Sequence, residues 1–548
     1  MKRKLLIGLT VAALVFLLTG CNDEEVEVTE PEEQEEEIAD EEETEEIQEP
    51  QYGGTLELGS VREESYHPYG IQSRESKDVY HFIFEGLMAL DEEMEPRGQI
   101  ARDYEVGEDG QSITFNLRED LQWHDGEEFT LQDLRFTLRW LREADSESLS
   151  PEGKNAQRVA KQITDAREFE DGRIEVIFSR PFSNGLDSLT FWVLPQHIFE
   201  GREMNEITTD YLVGSGPFKV SSGGIEEGLS LGKIENHPMM DSYIEEIHLR
   251  WFEDDETLEA AFQEREIDFL RAEHYGYMDS EEFETLYPLG NHYEFLAFNH
   301  RDENVFTKEP ELRRILSQLI DREELIDASY HGFGEAASIP IHPHHYLFED
   351  TSQNEDREEL LGLWEEHLNR IGYQLGEDHL YETENNEVLR LRILVDEDRA
   401  RQINSAMILA REFMELGVEV ILEQRSDEEI IFDLDTGNYQ SYLGAWTLSP
   451  VSDLSFAFHS TQVGHGNIHF YQSDGLDALI EDAFRAPDRE MKMEKYRQII
   501  EYLNREQPGI GLYFLKEPVV ISQRVMGVDR LHPNNALYYM EEWFLESR

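Results

Sequence analysis

The sequence predicts an α/β fold divided into two or three lobes, on three observations. Short runs of period-two apolar alternation are followed repeatedly by runs of helical period. Residues 51–548, some 498 in all, exceed what one hydrophobic core usually organises. The chain's single cysteine, Cys21, precedes that body, which excludes disulfides within it and any thiolate metal site there.

Taken in order, Lys2, Arg3 and Lys4 precede an almost unbroken apolar run from Leu5 to Leu18. This is the pattern of a secretory signal peptide, residues 1–20. At about 14 residues it is short of the ~20 needed to cross a bilayer as a helix. Leu18-Thr19-Gly20-Cys21 then resembles a bacterial lipobox, which implies cleavage before Cys21 and acylation of its thiol, with palmitate or a similar chain as the membrane anchor. Cys21 opens a segment running to Pro50 with 17 acidic residues and no basic one. It has too few large apolar residues to offset its ordering entropy and is expected to be a disordered tether. Fully extended, it reaches roughly 95 Å at ~3.3 Å per residue.

The body opens with GGTLELG at 53–59, where Leu56 and Leu58 alternate with polar neighbours, a strand. Turn chemistry at 108–111 precedes Ile113, Phe115 and Leu117 on one face and Ser112, Thr114 and Asn116 on the other, which predicts a hairpin. Thr130 stands as N-cap ahead of Leu131, Leu134, Leu138 and Leu141, with Asp133 placed to complete a capping box. Further on, the pattern predicts a helix over 311–329, a strand over 389–395, a helix over 403–416 and a strand over 418–422.

The formal net charge is −73; the leader contributes +3 and the tether −17, leaving −59 on residues 51–548. Nucleic acid is excluded as a partner, because phosphate binding requires basic patches. Such acidity suits a surface kept soluble in salty or alkaline surroundings. Three constellations invite a catalytic or metal reading. Trp123-His124-Asp125-Gly126 is read as a structural turn, since Asp-Gly supplies the turn by itself. His342, His344 and His345, interleaved with Pro340 and Pro343, are read as a solvated loop or a surface metal site. Gly214-Ser215-Gly216-Pro217 lacks the Gly-x-Ser-x-Gly order of a nucleophile elbow. No Walker A or His-Glu-x-x-His sequence occurs. Catalytic machinery, metal and cofactor are therefore not expected.

Nine segments carry a resemblance, in order. They are GGTLELG from Gly53, FEGLMALDEEMEP from Phe84, the run from Ile100 through LQWHDGEEFTLQDL, VGSGPFKV from Val213 and LAFNHRDENVF from Leu296. ELRRILSQLIDREELI from Glu311, YLGAWTLSPVSDLSFAFHS from Tyr442, GNIHFYQSDGLDALIEDAF from Gly466 and YRQIIEYLNREQPGIGLYFL from Tyr496 follow. Together they resemble the family 5 extracellular solute-binding proteins of bacterial ABC importers, most closely the branch of oligopeptide receptors that accept longer peptides. The resemblance implies a bilobal periplasmic-binding-protein-like fold of type II, the large peptide-binding variety, with an extra subdomain on the first lobe. Lobe I would comprise 51–66, 189–296 and 509–548, its subdomain 67–188, and lobe II 297–508. The crossings near Leu296 and Pro508 would form the hinge.

The same resemblance implies a non-enzymatic, monomeric receptor, lipid-anchored on the extracellular face of the cell membrane. It would capture oligopeptides between its lobes and deliver them to the transmembrane subunits of an ABC permease. A receptor for many peptide sequences reads the shared main chain, and extended peptides satisfy it by adding a strand. The same scaffold could instead hold a nickel chelate, haem or a sugar, and a hydrolase or surface sensor of the same shape is the rival of a different class. The implied ligand-binding residues are Trp446, Thr447, Ser449 and Asp453, Tyr66 and His67 after the first strand, and His459 with Asn467. One alignment puts Ser449 where classical receptors carry an aspartate for the peptide ammonium; another puts Asp453 on an aspartate of the longer-peptide branch. Trp446 alternatively serves the core, and Asp453 alternatively caps the helix that follows it.

Overall fold

The strand predicted from GGTLELG forms as Thr55–Val61, with Leu56 and Leu58 buried. It pairs in parallel with Glu246–Phe252, at the edge of a four-stranded sheet that continues through Gly228–Lys233 and Phe218–Gly224. The computed structural model describes residues 50–546, apart from 109, 120, 181–184, 225–227, 273–281, 351–355 and 487. The expected leader, Cys21 anchor and tether lie outside the described residues.

The predicted hairpin pairs Ala101–Val106 with Ser112–Leu117 and belongs to a second four-stranded sheet with Ile163–Glu168 and Ile174–Phe178. Against it lies the helix Leu131–Glu143, where the Thr130 hydroxyl accepts from Gln132 and the Asp133 carboxylate accepts the Thr130 amide at 2.8 Å, closing the capping box. Leu134, Leu138 and Leu141, at helical spacing, are buried. Both sheets share one core, which also takes in Val519, Ile521 and the C-terminal Trp543 and Leu545. His124 ties this region to the Gly214–Pro217 loop: its Nε2 lies 3.0 Å from the Gly216 carbonyl and its Nδ1 accepts the Gly214 amide. A Cβ at Gly214 or Gly216 would collide with the Ile83 or Phe82 carbonyl, so these glycines serve a close backbone approach.

A second core lies under a six-stranded sheet ordered Gly334–Ala336, Gly509–Lys516, Leu289–Phe298, Ser441–Thr447, Arg390–Asp396 and Glu419–Arg425. The parallel pair Arg390–Asp396 and Glu419–Arg425 is joined by the helix Ala400–Glu415, a strand-helix-strand unit as the sequence predicts. The single helix expected over 311–329 is instead two, Pro310–Leu319 and Arg322–Tyr330. Ile320 turns extended and the Asp321 carboxylate accepts the Glu324 amide at 3.0 Å, capping the second. Continuous helical periodicity hid the internal cap. A third cluster gathers Ile339, Ile341, Tyr346 and Leu347 against the helices Asp474–Phe484 and Arg489–Glu506.

The expected crossings near Leu296 and Pro508 require correction. Leu296 lies inside the six-stranded sheet, opposite both Leu443 and Ile510. Leu286 still pairs with Val519 in a three-stranded sheet on the first side, whereas Leu289 pairs with Lys516 on the second. The chain therefore passes between the cores at Tyr287-Pro288 and returns at Glu517-Pro518, joined by a Glu517 amide to Pro288 carbonyl bond of 2.9 Å. Only pairing partners, invisible in a linear pattern, locate that passage.

Candidate functional site

Period-two alternation gives the central strand Leu289–Phe298 two faces. Leu296 and Phe298 point into the second core, while Tyr293 and Phe295 point away from it. On the neighbouring strand, register sets Trp446 opposite Tyr293 and Gly444 opposite Phe295. A Cβ at Gly444 would strike the Tyr442 ring, so glycine there lets the aromatics close ranks. The ring centroids of Phe295 and Trp446 are 3.9 Å apart, and Phe456 meets Trp446 edge-on at 5.1 Å. Trp446 is half-buried: part of its indole packs and part faces outward.

Behind this wall, Tyr293, Phe295, Ser338, Trp446, Phe458 and His469 line a small cavity of about 20 Å³, together with Pro508 to Gly511. Such a volume suits a single water rather than a ligand side chain. His469 stacks on Phe458 at 5.4 Å, and burial pulls its imidazole down to about 3, so it is neutral. A Cβ at Gly509 would collide with that ring.

The remaining expected residues divide. Thr447 and Ser449 are exposed at the end of the strand, beside Trp446. The Ser449 hydroxyl accepts the Val451 amide at 3.2 Å. Asp453 is half-buried; one of its oxygens accepts the Ser455 amide at 2.9 Å and the Ser455 hydroxyl, a local turn that leads into the short helix Ser455–Phe458, whose N-cap position is Leu454. His459 is largely covered, its Nδ1 accepting the Thr461 amide and its ring facing Asp477 and Glu481 at 3.9 and 3.7 Å. Asn467 is wholly buried, its amide donating to the carbonyls of His459 and Tyr471. His459 and Asn467 thus shape the loop that backs the wall.

Tyr66 and His67 are not brought to this place. Tyr66 packs at 5.8 Å from Trp251, and its carbonyl accepts the Tyr80 hydroxyl. His67 is 1% exposed, stacked 4.1 Å from Trp140 with Phe199 at its edge, and its Nδ1 accepts the Tyr69 amide. Desolvation drives its pKa down to about 3. Both are core residues of the first lobe here, because the loop after the first strand folds inward. The histidine loop is corrected likewise: His342 and His345 are buried, each accepting a backbone amide two residues on, and only His344 is exposed. Among the described residues no group of three His, Cys, Asp or Glu is disposed to hold a metal ion, and no helix is long and apolar enough to cross a membrane.

Sequence reasoning missed Tyr293, Phe295, Phe458 and His469. The alternating aromatics of HYEF and the glycine spacing of GIGLY, Gly509 and Gly511, were the available signals. What the assembled wall offers outward is part of the Trp446 indole, backed by buried aromatics, with the exposed Thr447 and Ser449 hydroxyls at its rim.

Comparisons with known proteins agree in direction. The model for bacterial extracellular solute-binding proteins, family 5 Middle, matches residues 95–467. The oligopeptide-binding protein AppA of Bacillus subtilis is 23% identical over 521 residues, covering 90% of this chain and 92% of AppA. The solved structure of AppA in complex with a nonapeptide has a TM-score of 0.60 at 20% identity, covering 91% of this chain and all of that one. NikZ from Campylobacter jejuni, solved in complex with Ni(L-His), gives 0.63 at 20% identity, covering 89% and 99%.

Proposed function

Since the chain belongs to the bacterial extracellular solute-binding proteins of family 5, we propose that it captures oligopeptides between two hinged lobes and delivers them to an ABC permease. In this reading Cys21 carries the lipid anchor, the acidic segment is the tether, and the receptor acts as a monomer on the outer face of the membrane. Lobe I comprises the first core with its subdomain at 67–188, lobe II the second and third cores, and Tyr287-Pro288 with Glu517-Pro518 is the hinge. Trp446, Thr447 and Ser449 form the lobe II wall against which the peptide main chain lies, with Asp453 at its margin.

The observation that carries this reading is the half-buried Trp446 packed against Phe295 and Tyr293, which belong to the neighbouring strand Leu289–Phe298 that runs directly out of the hinge. Ligand contact there is transmitted to the hinge through one strand, so binding and lobe closure are coupled. A nickel chelate is the second reading, favoured by the likeness to NikZ.

Native mass spectrometry of the purified protein tests both: co-purifying peptide masses are expected, and a metal complex would favour the alternative. In calorimetric titration with a peptide pool, Trp446→Ala is expected to weaken binding about fivefold or more, as removal of a stacked aromatic costs about 1–3 kcal/mol. Unchanged affinity would place the ligand elsewhere.

A further inference from the structure

The first core and the third core meet at a buried ion pair. Asp187, on the short helix Gly185–Ser188, accepts the Lys492 ammonium at 2.7 Å through Oδ2 and the Tyr346 hydroxyl at 3.0 Å through Oδ1. The Asp187 and Lys492 side chains are 3% and 6% exposed. Lys492 projects from the helix Arg489–Glu506, whose Tyr496, Ile499 and Leu503 pack in the third core with Tyr346. Asp187 adjoins Leu189 of the first core. Two further bonds join the same sides: the Tyr346 amide to the Glu93 carbonyl at 2.8 Å, and Arg489 to Glu95 at 2.6 Å. In a chain with 47 basic residues against 120 acidic ones, two cations of one lobe each meet a carboxylate of the other.

We propose that Asp187, Lys492 and Tyr346 form a clasp between the lobes, which holds them together without ligand and sets how far ligand binding must drive closure. The proposal rests on the hinged-receptor reading. Its physical basis is that a buried ion pair stabilises little against an apolar replacement, whereas removing one partner strands a buried charge at large cost. In a rigid core that cost would fall on folding. At a lobe interface it is relieved by opening, which returns the stranded group to water, so the pair acts on the open-closed equilibrium.

Small-angle X-ray scattering of unliganded protein tests this without any peptide. Lys492→Met is expected to raise the radius of gyration by about 1 Å, from the roughly 23 Å of a body this size. It is also expected to weaken peptide affinity about tenfold through the smaller closed fraction. The apolar pair Asp187→Leu with Lys492→Leu is expected to return the radius towards that of the parent. A Lys492→Met protein with unchanged radius overturns the clasp, and so does a double variant as open as the single one. Should Lys492→Met fail to fold, Tyr346→Phe decides: a smaller rise supports the clasp and no rise overturns it. Loss of peptide binding by the parent would remove the receptor reading and leave the scattering result standing, so the two failures are distinguishable.

Discussion

Arg313 is 2% exposed, yet its partners are four backbone carbonyls rather than a carboxylate. Its Nε donates to Gln507 and its Nη2 to Glu506, both at 2.6 Å, while Nη1 donates to Thr307 at 3.1 Å and to Phe306. One guanidinium thus closes the C-terminus of the helix Arg489–Glu506 and fixes the turn into Pro508 to Gly511, which backs the Trp446 wall. Replacing it by methionine keeps the stem and removes the fork. Four charge-assisted bonds at about 1.5 kcal/mol each sum to about 6 kcal/mol. Against this stands the cost of burying the cation: burial holds its pKa down to about 10, below the usual guanidinium range, equivalent to about 3 kcal/mol. The expected net loss is therefore about 3 kcal/mol. Arg313→Lys, which keeps the charge but reaches fewer carbonyls, is expected to lose about half as much. Urea unfolding followed by far-ultraviolet circular dichroism measures both, and hydrogen exchange at Ile500 to Glu506 localises the effect. A methionine variant within 1 kcal/mol of the parent, with those amides still protected, would refute the reasoning, since it would mean the carbonyls find other donors at no cost.

Two further outcomes follow from buried titrating groups. Desolvation raises Glu412 to about 7, so the folded protein holds a proton that the unfolded chain releases near 4.5; stability is present at low pH and lost as pH rises towards 7. Glu412→Gln is expected to flatten this loss and to gain about 1 kcal/mol at pH 8 in urea titrations at several pH values, whereas an unchanged slope would exclude Glu412 as its source. His67 behaves oppositely: its folded pKa of about 3 lies below the ordinary imidazole value of 6.5, so its stability contribution is full above 6.5 and lost as pH falls. His67→Phe is expected to lose about 1 kcal/mol at pH 8 with the Tyr69 bond, to gain about 2 kcal/mol in relative stability on going to pH 5, and to leave ligand affinity unaltered. An affinity loss would return His67 to the binding site.

The chain's own pattern determined the local elements wherever a short-range rule sufficed. Alternating Leu56 and Leu58 made a strand, Thr130 with Asp133 made a capped helix, and Gly214-Ser215-Gly216 lacked the order of a nucleophile elbow. The nine family segments legible in order also carried the bilobal architecture. Where two elements abut without a break in apolar period, as at Ile320 and Asp321, the pattern ran through the boundary. Tertiary structure alone decided what depends on partners remote in sequence. Strand pairing moved the passage between cores to Tyr287-Pro288 and Glu517-Pro518, inward folding took Tyr66 and His67 from the expected site, and packing turned the histidine loop from solvent to interface. The physical reason is common to all three: periodicity records which face of an element is apolar, but the identity of the surface that covers that face is a property of the assembled chain.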